Sequence, residues 1–199
     1  MRRRFLLGVA VFGILIILPS LRFSSGPEDG LSSETRQTYL FLKQRLDLDD
    51  EMLMELARLI KEESARNHID YRLVLALIQV ESNFDAHAVS EMGARGLLQI
   101  KPSLARFLVR ELDIEWKGPH TLHDPKENLR IGIHFLSTLK EQFGNLEKAL
   151  LAYNVGPTRL RDIVEAGGIS DRSFARKVMR EYRKNILLLP DPEKKDKGS

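Results

Sequence analysis

The chain has 199 residues, 31 Lys and Arg against 28 Asp and Glu, and no cysteine. Those numbers fit one compact domain with flanking segments and exclude disulfides, thiolate metal sites, iron–sulfur clusters, cysteine nucleophiles and a lipid-modified N-terminal cysteine. The net charge of +3 is mild; it suits an anionic polymer as partner without pointing to nucleic acid.

The first segment is uneven in charge. Arg2, Arg3 and Arg4 precede Phe5–Leu18, a run with no charged or strongly polar residue. A basic start followed by an apolar stretch is an export signal and places the working protein in the periplasm or cell envelope. No A-x-A-like site follows, because Arg22 and Phe23 occupy its place, which favours an uncleaved inner-membrane anchor through Phe5–Leu21 over a cleaved signal peptide. Residues 1–23 are therefore read as signal or anchor, and 24–34, rich in Ser, Gly and Pro, as a linker.

From residue 35 onward the periodicity is helical. Thr38, Leu40, Phe41, Leu42 and Leu46 predict a first helix, and Met52, Leu53, Leu56, Leu59 and Ile60 a second, capped by Asp49 or Asp50. Seven of the eight residues Leu73–Val80 are apolar, the mark of a helix at the centre of a domain. Further helices are predicted over Ser103–Leu112, Pro125–Phe143, Leu146–Tyr153 and Asp171–Leu189, with Gly156-Pro157 as a stop. A small hairpin around Gly118-Pro119 stays compatible with the sequence, so a mainly helical α+β domain is the alternative. The expected architecture is one all-α domain over 35–190, followed by a charged, disordered tail at 191–199. A monomer is the expected state.

Glu81 closes the most apolar helix. Val74, Leu77 and Ile78 precede it by seven, four and three residues, so its side chain leaves the same face. A carboxylate on an apolar face loses hydration, which raises its pKa and prepares it for general acid catalysis. On periodicity alone, a helix-end carboxylate pointing into water is an equal reading. Beyond it, Gly93 and Gly96 flank a segment in which Gln99 stands among Leu97, Leu98 and Ile100 and needs a partner. A bond to a loop carbonyl and contact with a ligand are both open.

The order of short blocks is more specific. Glu81-Ser82-Asn83-Phe84, Ala88-Val89-Ser90 and Gly93-Ala94-Arg95-Gly96-Leu97-Leu98-Gln99-Ile100-Lys101-Pro102-Ser103 resemble the soluble lytic transglycosylase family. Asp124-Pro125, Asn128-Leu129, Gly132, Phe143-Gly144-Asn145 and Ala149-Leu150-Leu151-Ala152-Tyr153-Asn154-Val155-Gly156-Pro157 continue the resemblance to about residue 160. It implies a lysozyme-like helical fold and cleavage of peptidoglycan glycan strands between muramoyl and glucosaminyl residues. It also implies 1,6-anhydro-muramoyl ends made by a single glutamate, Glu81, as acid and base. Ser90, Met92, Gln99, Tyr153 and Asn154 fall where the family shapes its groove or supports the glutamate. Tyr153-Asn154 taken alone reads equally as a core tyrosine and a helix-ending Asn.

The sequence departs from the family at Phe174-Ala175, where a Tyr-Val pair is usual. Phe174 keeps the ring that would face the substrate and lacks the hydroxyl.

Other readings compete. A second carboxylate, from Asp85, Glu91, Asp113 or Glu115, would make the protein a lysozyme-type hydrolase. A non-catalytic glycan-binding or scaffold module of an envelope assembly is the other alternative. His120-x-x-His123 beside Asp124 reads as a polar loop rather than a metal site, and no cofactor is expected. Arg172, Arg176, Lys177, Arg180, Arg183 and Lys184 form a basic face on the last helix, explained first by solvation and second by attraction to anionic cell wall or lipid.

Overall fold

The computed structural model describes residues 31–168 and 171–192. The expected anchor at 1–23, most of the linker and nearly all of the tail lie outside the described residues. Within them no helix is long and apolar enough to cross a membrane.

The described residues form eight α-helices: α1 Ser33–Lys43, α2 Asp50–Arg66, α3 Tyr71–Glu81, α4 Pro102–Glu111, α5 Pro125–Phe143, α6 Leu146–Val155, α7 Pro157–Glu165 and α8 Ser173–Leu188. Their starts follow local chemistry. Ser32, Asp49, Asp70, Asp124 and Asn145 each cap a helix by accepting a backbone N–H with the side chain. Pro102, Pro125 and Pro157 occupy first helical positions, where the missing N–H has no partner to lose. Gly144, at φ 62°, ends α5 in the left-handed region. Two isolated bridges, Val89 with Arg95 and Arg95 with Ile100, are the β-structure among the described residues. In place of a hairpin around Gly118-Pro119 there is a 3-10 turn, Pro119–His123.

One helix was not foreseen. Gly156-Pro157 stops α6 as expected, but the same proline opens α7, whose Leu160 is buried. A proline that bars the preceding turn is pre-set for the next one.

The core surrounds α3. Every residue from Tyr71 to Ile78 is buried, and α2 and α8 pack directly against this helix. α8 runs antiparallel to it, and polar contacts fasten its C-terminal half to the start of α3. The Tyr182 hydroxyl donates to Asp70 Oδ2 at 2.7 Å, Asn185 Nδ2 donates to the Arg72 carbonyl at 3.0 Å, and the Tyr71 hydroxyl donates to the Pro190 carbonyl at 2.7 Å. Tyr182 is thus committed far from Glu81, at the opposite end of α3.

A second group of contacts holds the loop between α3 and α4. Asn128 of α5 is fully buried; its Oδ1 accepts the Leu98 N–H at 2.8 Å, and its Nδ2 donates to the carbonyls of Arg95 at 2.8 Å and Leu122 at 2.9 Å. Gly96, at φ 73°, sits so close that a Cβ would overlap the Leu122 carbonyl and the Asn128 amide. Gly132, one helical turn beyond Asn128, lets the Leu98 side chain rest against the α5 backbone.

Asn128→Leu removes three hydrogen bonds and strands the Leu98 N–H and the Leu122 carbonyl, while the Arg95 carbonyl keeps the Ile100 N–H at 3.0 Å. The expected loss is about 2–4 kcal/mol of unfolding free energy, read from urea denaturation. A change near zero would show that the loop does not depend on Asn128.

Candidate active site

Glu81 is the last residue of α3, and its register carries it off the buried Val74–Leu77–Ile78 face as expected. The chain then turns sharply. Asn83 and Phe84 both adopt positive φ, 52° and 63°, which costs on the order of 1 kcal/mol or more each for residues with a Cβ. Burial of Phe84, edge-on to Phe41 at 6.0 Å between ring centroids, offsets a cost of that size. The Asn83 side chain accepts from Gln79 Nε2 across the turn. The result is an abrupt exit that leaves Glu81 half-buried at the mouth of the helix.

No group among the described residues donates a hydrogen bond to the Glu81 carboxyl. Burial alone pushes its pKa up to about 8, because water that would stabilise the charged form is kept away and no cation replaces it. Near neutral pH the carboxyl is mostly protonated.

Two cavities meet at this residue. The larger, about 720 Å³, is lined by Glu81 with Asn154, Phe174, Lys177, Arg180 and Glu181 among others. The smaller, about 390 Å³, places Glu81 and Asn154 beside Ser90, Met92, Gln99 and Tyr153. Glu81 and Asn154 line both, so the groove continues to either side of the carboxyl. All seven candidate residues named from the sequence therefore border this groove.

Their contacts differ. Ser90 Oγ accepts the Ala94 N–H at 3.0 Å, beside the Gly93 N–H that closes the Ser90–Gly93 turn on the Ser90 carbonyl at 2.9 Å. Met92 is 77% exposed, an apolar side chain left at the rim. Gln99, at φ 46°, donates both Nε2 bonds to loop carbonyls, to Ala88 at 3.2 Å and Gly96 at 3.0 Å, and keeps only Oε1 for a ligand. Tyr153 is a core tyrosine in the groove wall: its ring leans on Phe135 at 5.2 Å and its hydroxyl donates to the Leu98 carbonyl at 2.9 Å. Burial, with the nearby Glu81 charge adding, raises its pKa well above the usual value. Asn154 is exposed. Phe174, in the first turn of α8, packs its ring against the core from the groove side.

Sequence reasoning missed part of the site. Asp85, Glu91, Asp113 and Glu115 line neither cavity, whereas Glu181 does. Its carboxylate accepts both oxygens' worth of bonding from Lys184 Nζ, at 3.0 Å each, and a long contact from Arg180 Nε at 3.4 Å. Lys184, then Arg180, hold its pKa below the ordinary range. The signal was available: Glu181 lies seven residues after Phe174 and shares its face. The His120–His123 segment is tied into the fold, since His123 Nε2 meets Arg95 Nη1 at 2.8 Å, and the described residues contain no group of three metal-ligating side chains.

A sequence model of the transglycosylase SLT domain matches residues 58–173, more than half of the chain. The chain belongs to the transglycosylase SLT domain family. It is 35% identical over 127 residues to the soluble lytic murein transglycosylase of Salmonella typhimurium, which covers 60% of this chain and 20% of that protein. Over 87 residues it is 36% identical to membrane-bound lytic murein transglycosylase C of Pectobacterium atrosepticum, covering 43% of this chain and 24% of the relative. The chain thus spans about a fifth to a quarter of these proteins. Its fold matches the 70-kDa soluble lytic transglycosylase of Escherichia coli, with a TM-score of 0.60 at 24% identity over 80% of this chain and 32% of that one. This SLT domain accordingly has the all-helical, lysozyme-like architecture expected of it.

A carboxyl kept neutral by burial weakens the fold once it is forced to ionise. The folded state holds the proton up to about pH 8 and the unfolded chain releases it near pH 4.5, so stability falls as pH rises through that window. In thermal melts, Glu81→Gln should raise Tm relative to wild type at about pH 9 and have little effect at about pH 4. An equal shift at both pH values would remove burial as the source of the raised pKa.

Proposed function

We propose that the SLT domain of this chain is a peptidoglycan lytic transglycosylase in which Glu81 is the sole acid and base. The observation that carries this reading is a half-buried carboxyl with no counter-charge at the centre of a two-sided groove. A glycan strand laid along the groove puts a glycosidic oxygen at Glu81 with sugars on either side. Protonated Glu81 donates its proton to that oxygen as the C1–O bond breaks. The acetamido carbonyl of the same sugar supports the cationic C1. The sugar's own 6-hydroxyl then attacks C1 and gives its proton to the Glu81 carboxylate, which restores the acid. Water is not consumed, and the nucleophile is already held beside its target.

The names of the family relatives support the substrate class, and the export signal in Arg2–Leu18 supports an envelope location with Phe5–Leu21 as a membrane anchor. Phe174 fits the reading as an apolar wall without the hydroxyl common in the family.

One observation favours a second reading. Glu181 is a carboxylate with a lowered pKa in the same cavity as Glu81, and a carboxylate that activates water makes the protein a lysozyme-type hydrolase. Its engagement by Lys184 and Arg180 argues against that role, because a base already saturated by cations is weak.

Purified protein incubated with peptidoglycan sacculi should release fragments with 1,6-anhydro-muramoyl ends, read by mass spectrometry. Reducing ends, heavier by one water, establish the hydrolase; no release from folded protein leaves a glycan-binding module. Glu81→Gln should lower release at least about a thousandfold with the helical circular dichroism intact, and retained activity would sink the role given to Glu81. The wild-type rate should fall as pH rises past about 8, where Glu81 loses its proton. Phe174→Tyr should hold or raise the rate; a large loss would mean that packing of the ring outweighs the absent hydroxyl.

A further inference from the structure

The two ends of α3 face different surroundings. Glu81 and the groove lie at its C-terminal end, about 15 Å along the helix axis from Tyr71 at the other. Contacts gather three more elements at the Tyr71 end. Lys61 of α2 pairs with Glu34 in the first turn of α1 and lies 5.5 Å from the centre of the Tyr71 ring. The Tyr71 hydroxyl in turn donates to the carbonyl of Pro190, two residues beyond α8. The start of α1 and the end of α8 therefore share one pole of the domain, opposite Glu81. At that pole α8 ends in three exposed apolar residues, Ile186, Leu187 and Leu188, of which Leu187 is 86% exposed. Arg176, Arg180 and Arg183 precede Leu187 by eleven, seven and four residues and share its outward face. Between Arg172 and Leu188 six cations stand against one acid, Glu181, which Lys184 and Arg180 already engage. Other acids near the pole are paired within the fold: Glu34 with Lys61, Asp70 with Arg72 at 2.7 Å, and Asp191 with Arg72 at 3.8 Å.

Three consecutive large apolar residues left in water form a patch rather than a scatter. A cationic helix face that ends in exposed leucines has the composition of an element lying on an anionic bilayer, with apolar side chains among the acyl groups and cations at the phosphates. The covalent chain brings a bilayer to the same place. Phe5–Leu21, the proposed anchor, joins α1 through residues 22–32. That connection reaches at most about 40 Å, and it enters the domain at the pole that carries the leucines. We propose that the Ile186–Leu188 end of α8 docks on the membrane surface, with Arg183 and Lys184 at anionic headgroups. The inference rests on the anchor reading for the presence of a bilayer at this pole. A symmetric dimer through the same face would set these cations against their own copies, so charge favours the lipid. Docking fixes the orientation of the domain. Phe174, beside Glu81, stands about 20 Å along α8 from Leu187, so the groove is held at the end of the domain away from the lipid.

The chain has no cysteine, so one introduced thiol carries a nitroxide label to a single position. The full 199-residue chain is reconstituted in vesicles of phosphatidylglycerol and phosphatidylcholine. Electron paramagnetic resonance then reads whether the label is reached by oxygen, which enters the bilayer, or by a water-soluble nickel complex. A label at Leu187→Cys should be reached by oxygen and shielded from nickel. One at Glu91→Cys, on the exposed turn beside Ser90 and Met92 of the groove, should show the reverse. Arg183→Gln with Lys184→Gln should lower the ratio of immersed to aqueous Leu187→Cys label roughly tenfold, and Arg183→Lys with Lys184→Arg should restore it. A further label at Ile14→Cys reports on the anchor. An aqueous label at Leu187→Cys beside an immersed one at Ile14→Cys overturns the docking and leaves the anchor standing. An aqueous label at Ile14→Cys rejects the anchor, and the docking with it. Spectral broadening at Leu187→Cys that disappears on dilution with unlabelled chain would make this face an interface between copies and would likewise overturn the proposal.

Discussion

A carboxyl that emerges from the most deeply buried helix without meeting a counter-charge is the constraint on which this structure depends. α3 is buried on all sides from Tyr71 to Ile78 and is stable only while other helices cover it. Covering it completely would bury Glu81 at prohibitive cost; leaving its end open would let water restore an ordinary carboxylate. The fold sits between these limits. The chain turns away at Ser82–Phe84, α6 and α8 flank the helix end, and the groove reaches Glu81 from two sides. The acidity of one group therefore follows from how far the surrounding helices close over one helix terminus.

The two walls of the groove are built by different physics. On the α4 side the backbone is irregular, and such backbone is kept inside a domain only if its polar groups are paired. Asn128 and Gln99 do this with amide side chains that reach several loop carbonyls and an N–H. On the other side the wall is a regular helix whose backbone satisfies itself, so its side chains are available for charge. One wall fixes shape and the other supplies electrostatics.

Much of this was legible in the sequence, for definable reasons. The α3 register, the Asp49 cap and the span of α5 follow from periodicity and local capping, which involve only near neighbours. For Glu81 periodicity allowed a desolvated carboxyl with a raised pKa and a solvated one equally, because the choice depends on elements 70 or more residues away. Gln99 and Tyr153 show the same limit. Their need for partners can be inferred from their apolar company, whereas the identity of those partners is set by tertiary contact. The α7 start was hidden by the double meaning of a proline. Asn128 was visible only as part of a family pattern, since nothing local marks a buried asparagine that pairs with residues 30 positions away. Glu181 escaped because the basic residues around it drew the reading toward solvation, although its register with Phe174 was plain.

Leu98 gathers these contacts at one point. Its N–H goes to Asn128, its carbonyl receives the Tyr153 hydroxyl, and its side chain rests on Gly132. A single residue thus joins the loop to α5 and α6 through both backbone groups and its side chain at once. The side of the groove bearing Ser90 and Met92 is thereby tied to the helices beneath it. α8 is held differently: hydrogen bonds pin it at the Asp70 end of α3, and nearer Glu81 the buried Ala175 and Val178 seat it by packing. The two walls of the groove are therefore vulnerable to different substitutions: one to the loss of a hydrogen-bonding group, the other to the loss of apolar volume.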